Sequence, residues 1–352
     1  MEIVVCCPNW IGDAVMATPA LVALRKRFPE SHLALVVRPY VVPVFDPAPY
    51  ANEIIPWGPG GLSFGQVAAR LRQRKFDFGV LLTNSFRSAL LFFLGRVRER
   101  VGYARDGRSL LLTDRLKPIK ENGIYVPTPV MTSYFDLVRP LGAHDLSTAM
   151  ELYTSPADEM AADAVFASLG LDPRTTLVMA PGAAFGLAKC WPPERFAAIA
   201  RRARDELSLQ TLILSSSKEL ETARAIAAAS DGSALVPSEP LPTLRTVKAL
   251  VRRSRAMVTN DSGLRHFAAA YDLPVVTIFG PTHINWTETW FPKETKLQAA
   301  VECGPCQQRR CPEGHLQCMA KVTPEMVFDA LSKAVATFPY QEPRPDNIIG
   351  SR

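Results

Sequence analysis

TNDSGLRHFAAAYDLPVVTIFGPT, Thr259 to Thr282, reads as strand end, turn, helix and strand. Ala256 to Val258 close an apolar run, and Asn260, Asp261, Ser262 and Gly263 are turn and cap types. Leu264, Phe267, Ala268 and Tyr271 recur at helical spacing, Pro274 stops the helix, and Val275 to Phe279 form a β-branched strand. A helix opening at Ser262–Gly263 aims free N–H groups beyond the sheet, where a phosphate can bind. Gly263 lacks the Cβ that would hold an anion off. His266, about one turn on, can face the same place. An ordinary capped helix is the plainer reading, and the rest of the chain decides between them.

Outward from this stretch, strand and helix signals alternate, which predicts parallel sheets covered by helices on both faces. Glu2–Cys7 is an apolar strand, followed by PNWIGDAV and a helical pattern through Phe28. Gly12 and Asp13 therefore stand at the carboxyl end of the first strand, the edge that carries ligands in open α/β sheets. Asp13 read alone is a helix cap. TNSFRSAL after the strand Phe76–Leu82 repeats the strand-turn-helix form. A second set starts at Thr176–Ala180 with PGAAFGLAKCWPPERF, and continues through Thr211–Ser215 into SSKELETARAI. The predicted domains are 1–155 and 156–338, with a disordered tail at 339–352.

Composition is that of a globular protein, 47% hydrophobic and 21% charged. No apolar run is long enough to span a bilayer, and the N-terminus does not have the form of a signal peptide. These features predict a cytoplasmic protein whose seven cysteines are reduced. The net charge of +6 is uneven: Arg70 to Lys120 holds thirteen Lys or Arg against four Asp or Glu. An anionic partner for the first half is one reading, and a solvated surface is the other. No nucleic-acid-binding motif is present, so nucleic acid is not expected as a partner.

Four segments share one character in a fixed order: PNWIGDAV, TNSFRSAL, APGAAFGLAKCWP and TNDSGLRHFAAA. Together with CGPC…CPEGHLQC near residue 303, they resemble the ADP-heptose:lipopolysaccharide heptosyltransferases of glycosyltransferase family 9, the heptosyltransferase II type most closely. The resemblance runs from Ile3 to about Leu331. It implies the GT-B architecture, two Rossmann-like domains facing across a cleft, with acceptor bound by the first and nucleotide sugar by the second. It implies inverting transfer of heptose from ADP-heptose to the anionic inner core of lipopolysaccharide, at or near the cytoplasmic face of the inner membrane.

The resemblance assigns the base to Asp13, where a carboxylate is favoured by the adjoining helix N-terminus. It places Lys189 on the diphosphate, with catalytic weight because charge grows on the leaving group. Gly182, Asp261, Ser262, Gly263, Leu264 and His266 complete the donor site. An acidic residue holds the ribose; Glu219 and Glu221 both fit, with Glu219 preferred. Each has a structural rival: Lys189 as a surface loop lysine, His266 as a packed histidine, Glu219 as a helix-start carboxylate. Cys190 departs from the family, which often carries a second basic residue there. Either Lys189 carries more of the phosphate charge here or another arginine substitutes. Gly12, Asn84, Ser85 and Arg87 are the acceptor candidates.

Cys303, Cys306, Cys311 and Cys318 have a spacing that alone suggests zinc or an iron–sulfur cluster, with His315 as an alternative ligand. Reduced structural cysteines in a compact loop are the preferred reading. The implied chemistry needs no cofactor, so no metal is placed in the active site. A dinucleotide-dependent oxidoreductase is the rival enzyme class, but NWIGDA is a poor match to G-x-G-x-x-G. A non-enzymatic nucleotide-binding protein is the second rival, and it would not need Asp13 together with Lys189.

Overall fold

The computed structural model describes Met1–Gly350, which fall into two compact units. One comprises Met1–Glu151 with Asn285–Trp290, the other Leu152–Ile284 with Phe291 onward. The strands of the first unit are β1 (Glu2–Cys6), β2 (His32–Val37), β3 (Glu53–Pro56), β4 (Phe78–Leu81), β5 (Glu99–Tyr103) and β6 (Asp114–Leu116). A small antiparallel hairpin, β7 (Lys120–Glu121) and β8 (Ile124–Tyr125), follows. The sheet order is β3-β2-β1-β4-β5-β6 and every pairing within it is parallel.

The second unit holds β9 (Thr176–Ala180), β10 (Gln210–Ile213), β11 (Ala234–Leu235), β12 (Ala256–Asn260), β13 (Val275–Phe279) and β14 (Glu294–Gln298). They are parallel, in the order β11-β10-β9-β12-β13-β14. Both sheets thus have the doubly wound order, in which the order of winding across the sheet reverses between the first and fourth strands. This is the α/β, GT-B plan: two Rossmann-like units, each on its own six-stranded sheet.

The apolar runs become central strands because helices cover both faces. β9, β12 and β13 are buried along their whole length. In the first unit Val4, Val36, Leu81 and Phe92 join one core cluster. In the second, Met179, Trp191, Phe196, Val258 and Phe328 do the same. The second unit's opening helix, Pro156–Leu169, carries a full capping box between Ser155 and Asp158 and ends on Gly170 in the left-handed region.

The tail differs from expectation. Thr154 donates its N–H to the Asn347 carbonyl (2.8 Å) and accepts from the Ile349 N–H (2.8 Å). Asn347 Nδ2 bonds the Leu152 carbonyl at 2.7 Å, and the Tyr340 hydroxyl donates to the Arg253 carbonyl at 3.3 Å. The segment from Phe338 to Gly350 is therefore docked by backbone pairing with a distant stretch, which its polar, Pro-rich composition conceals; Ser351 and Arg352 lie outside the described residues.

Candidate active site

In each sheet the reversal of strand order opens a crevice at the carboxyl ends of two neighbouring strands, where doubly wound folds take their ligands. In the second unit these strands are β9 and β12. Asn260, fully buried, clamps both ends of the loop after β9: its Oδ1 accepts the Trp191 N–H at 3.2 Å and its Nδ2 donates to the Pro181 carbonyl. Trp191 is anchored below by its indole N–H on the Val322 carbonyl (2.8 Å). The loop between is held over the turn, and Lys189 is buried, 8% exposed, with its ammonium on the Asp261 carboxylate and carbonyl.

Asp261 also accepts from Thr282 Oγ1 (2.8 Å) and lies 3.4 Å from the buried Arg265 guanidinium. Burial pushes its carboxyl up, but the Lys189 and Arg265 charges and the hydrogen bonds from Lys189 and Thr282 outweigh it. The carboxyl is held below the usual carboxylate range. Arg265 pairs in turn with Glu294, which also accepts from Thr277 Oγ1 at 2.7 Å.

The helix after this turn begins at Arg265, not at Ser262–Gly263, and spans six residues. The Asp261 N–H still bonds across the sheet to the Ile278 carbonyl (2.9 Å), so the chain stays extended one residue past β12 and needs Ser262 to Leu264 to turn. The Gly263 carbonyl takes the His266 N–H and the Leu264 carbonyl takes the Phe267 N–H. Among the described residues, no protein acceptor takes the N–H of Ser262, Gly263 or Leu264, all half-buried. An anion here would meet three successive backbone donors, with no need for a long helix.

Glu219 and Gly182 are brought together. Glu219 Oε2 accepts from the Ser216 N–H (2.9 Å) and hydroxyl (2.6 Å). A Cβ on Gly182 would come within 1.8 Å of Glu219 Oε1, so glycine lets the carboxylate lie against the loop after β9. Glu221 is exposed in the first helical turn.

His266 is 2% exposed, and its Nδ1 has no hydrogen-bond partner. Burial first, then the Arg265, Lys189 and Lys296 charges, hold its imidazole well below the usual range, so it stays neutral. In the unfolded chain it takes a proton below about pH 6.5. Its neutrality therefore favours folding above that pH, and this contribution is lost as pH falls. Wild type should lose up to about 1.4 kcal/mol per pH unit below pH 6.5 through this residue. Unfolding midpoints at pH 7.5 and 5.5 for wild type and His266→Gln check this, and the variant should show the smaller drop.

In the first unit the crevice lies between β1 and β4. Gly12 is buried and Asp13 half-buried in the first turn of the helix Ile11–Met16. Tyr134, 4% exposed, was not singled out from the sequence; its phenol is pushed well up by burial and then by the Asp13 charge. After β4, Asn84 Oδ1 accepts from Arg108 at 3.1 Å. Arg108 is fully buried, gives its other N–H groups to the Tyr103 (2.9 Å) and Thr83 carbonyls, and has no carboxylate partner among the described residues. Burial lowers its pKa to about 10. Ser85 caps the helix Phe86–Leu94 by accepting the Ser88 N–H. Exposed Arg87 stacks over Trp57 (5.5 Å) and Phe64 (5.7 Å), and Arg38, after β2, covers Trp57 at 4.1 Å. No sequence motif singles out Arg38 or Arg108; only position after a strand and burial reveal them.

The basic stretch is not one patch. Arg70 and Arg74 pair with Glu53 and with Glu2, at the start of β1, and Arg98 precedes β5, so these lie toward the amino ends of the strands. Arg87 and Arg108 stand at the carboxyl ends.

Cys303, Cys306, Cys311 and Cys318 are free thiols and, with His315, line a cavity of about 20 Å³. Among the described residues no three His, Cys, Asp or Glu side chains are grouped to hold a metal ion. No described helix is long and apolar enough to cross a membrane.

The family model for glycosyltransferase family 9 (heptosyltransferase) matches residues 64–317. Lipopolysaccharide heptosyltransferase 2 of Salmonella typhimurium is 28% identical over 348 residues, 94% of this chain and 97% of that protein. Its Escherichia coli K12 counterpart is 29% identical over 343 residues, 94% and 98% of the two chains. Among solved structures, E. coli ADP-heptose lps heptosyltransferase II aligns with TM-score 0.79 at 26% identity, covering 96% of this chain and 99% of that one. A family 9 glycosyl transferase from Veillonella parvula aligns with TM-score 0.84 at 21% identity, covering 96% and 98%, a likeness of fold.

Proposed function

This chain belongs to glycosyltransferase family 9, and from that membership we propose that it moves heptose from ADP-heptose to the inner core of lipopolysaccharide with inversion, adding the second heptose as heptosyltransferase II does. The observation that carries this reading is the pairing of two crevices with opposite equipment. The second unit offers free N–H groups and a buried ammonium to a diphosphate. The first offers a carboxylate, Asp13, and arginines at its strand ends.

On this reading the second unit holds the donor. Ser262, Gly263 and Leu264 give backbone donors to the diphosphate, Lys189 supplies a cation, Glu219 takes the ribose hydroxyls, and Gly182 lets the nucleotide approach. His266, being neutral and buried, acts from behind the turn. The first unit holds the acceptor through Gly12, Asn84, Ser85 and Arg87. The acceptor hydroxyl oxygen attacks C1 of the heptose as its proton passes to the Asp13 carboxylate. The C1–O bond to the β-phosphate breaks, and its electron pair leaves on ADP. No cofactor enters these steps. The acceptor sits on a membrane, and peripheral contact with the inner membrane face belongs to the same proposal.

The acceptor is anionic, so its binding should weaken with salt. The screening length falls from about 10 Å at 0.1 M to about 3 Å at 1 M. Raising salt should raise the acceptor KM more than the donor KM. Arg87→Ala should raise the acceptor KM by an amount equivalent to about 1.5–3 kcal/mol if it bonds a carboxylate or phosphate directly. Arg98→Glu, toward the opposite edge of the sheet, should change it little. Steady-state kinetics with each substrate varied at two salt concentrations decide this. A larger salt effect on the donor would remove the acceptor from this face.

A further inference from the structure

The donor crevice of the second unit is rich in cations, yet each that faces the turn already has a carboxylate. Lys189 is committed to Asp261, while Arg265 lies against both Asp261 and Glu294. Lys296 stands 3.8 Å from Glu294. His266 is neutral, and position 190 carries a thiol. Three cations against two carboxylates leave one net positive charge, less than the negative charge that gathers on a leaving diphosphate.

The cysteine loop brings another cation to the Phe185 ring that Lys189 also approaches. Its backbone is fixed on the site's own loop: the Ala188 N–H donates to the Arg309 carbonyl at 3.2 Å, and the Gln307 N–H to the Pro281 carbonyl at 2.8 Å. A Cβ on Gly186 would lie 2.4 Å from the Arg309 carbonyl oxygen, so the two strands of chain touch only because residue 186 is glycine. The Arg309 guanidinium lies 5.5 Å from the centre of the Phe185 ring, and Lys189 Nζ lies 4.8 Å from the same centre. Arg309 is exposed and makes no ion pair among the described residues.

We propose that Arg309 is a diphosphate-binding residue of the donor site, held over Phe185 beside Lys189 by the cysteine loop. The loop's packing around its four cysteines is then what aims this arginine. The assignment rests on the donor reading of the second unit. A guanidinium suits the task because its planar N–H fork bonds two phosphate oxygens at once and never loses its charge at working pH.

Calorimetric titration of the full chain with ADP and with AMP, at one ionic strength, tests it. Arg309→Ala should weaken ADP binding about ten- to a hundredfold, the loss of a charge-assisted contact. AMP, lacking the β-phosphate, should lose much less. Arg309→Lys should recover part of the ADP affinity, and Arg310→Ala, its exposed neighbour, should leave it unchanged. Equal affinity of wild type and Arg309→Ala for ADP would overturn the assignment. So would an equal loss for ADP and AMP, or a loss in Arg310→Ala as large as in Arg309→Ala. Failure of the wild type to bind ADP would sink the donor reading itself and this assignment with it.

Discussion

Asp13→Asn should lower kcat by roughly 10²–10⁴-fold and leave ADP affinity close to that of wild type. The amide keeps the size of the carboxylate in the first turn of the Ile11–Met16 helix. It cannot accept the proton of the attacking hydroxyl, however, and the transition state loses its base. The donor is assigned to the other unit, so its binding should not sense the substitution. Rapid-quench or steady-state rates together with ADP calorimetry separate these effects. A variant with near wild-type turnover would remove Asp13 from the base role, and one that lost ADP binding as well would point to a structural fault.

Lys189→Met should have the second large effect, with two separable parts. Lys189 and Asp261 form a buried pair, their side chains 10% and 5% exposed. Removing one partner of such a pair costs about 3–5 kcal/mol. Arg265 and Thr282 remain on Asp261 and place this case at the low end, about 3 kcal/mol. Donor affinity should fall as well. The double variant Lys189→Met/Asp261→Asn removes the unpaired charge and should recover stability without recovering ADP binding. Denaturant unfolding and calorimetry on the three proteins read the two parts apart. Recovery of ADP affinity in the double variant would make Lys189 a purely structural cation.

The strand-turn-helix units around PNWIGDAV, TNSFRSAL and TNDSGLRH were legible because their apolar runs are short, bounded by turn residues and almost wholly buried. That is the signature of parallel strands covered on both faces. The position of the turns at the strand ends then placed Asp13, Asn84 and Asp261 at the edges that carry ligands, whereas Lys189 came from the family resemblance. Other features depend on distance in sequence and leave little local trace. The two-residue β11 and the partly exposed β14 carry too few apolar positions to stand out. The docking of Asn347 on Leu152 and Thr154 is made by backbone and amide groups that any polar tail possesses. The helix start slipped from Ser262 to Arg265 because Asp261 stays bonded to β13.

Charge was the least legible property. A count along Arg70 to Lys120 adds residues from opposite ends of one sheet, and it includes Arg108, which is fully buried. Lys189 looks in sequence like an exposed loop lysine, whereas the Asn260 clamp and the Trp191 anchor draw its loop down onto Asp261. Arg309 is 120 residues from Lys189 in the chain and meets its loop through Phe185, the Ala188 N–H and the contact at Gly186.

The most direct test of the central claim is the anomeric configuration of the product formed from ADP-heptose and a defined inner-core acceptor carrying one heptose, read by nuclear magnetic resonance. One direct displacement, with Asp13 taking the proton and ADP leaving from the second unit, predicts a single added heptose of configuration opposite to the donor's. Retention of configuration, or no transfer of heptose to that acceptor, would contradict it.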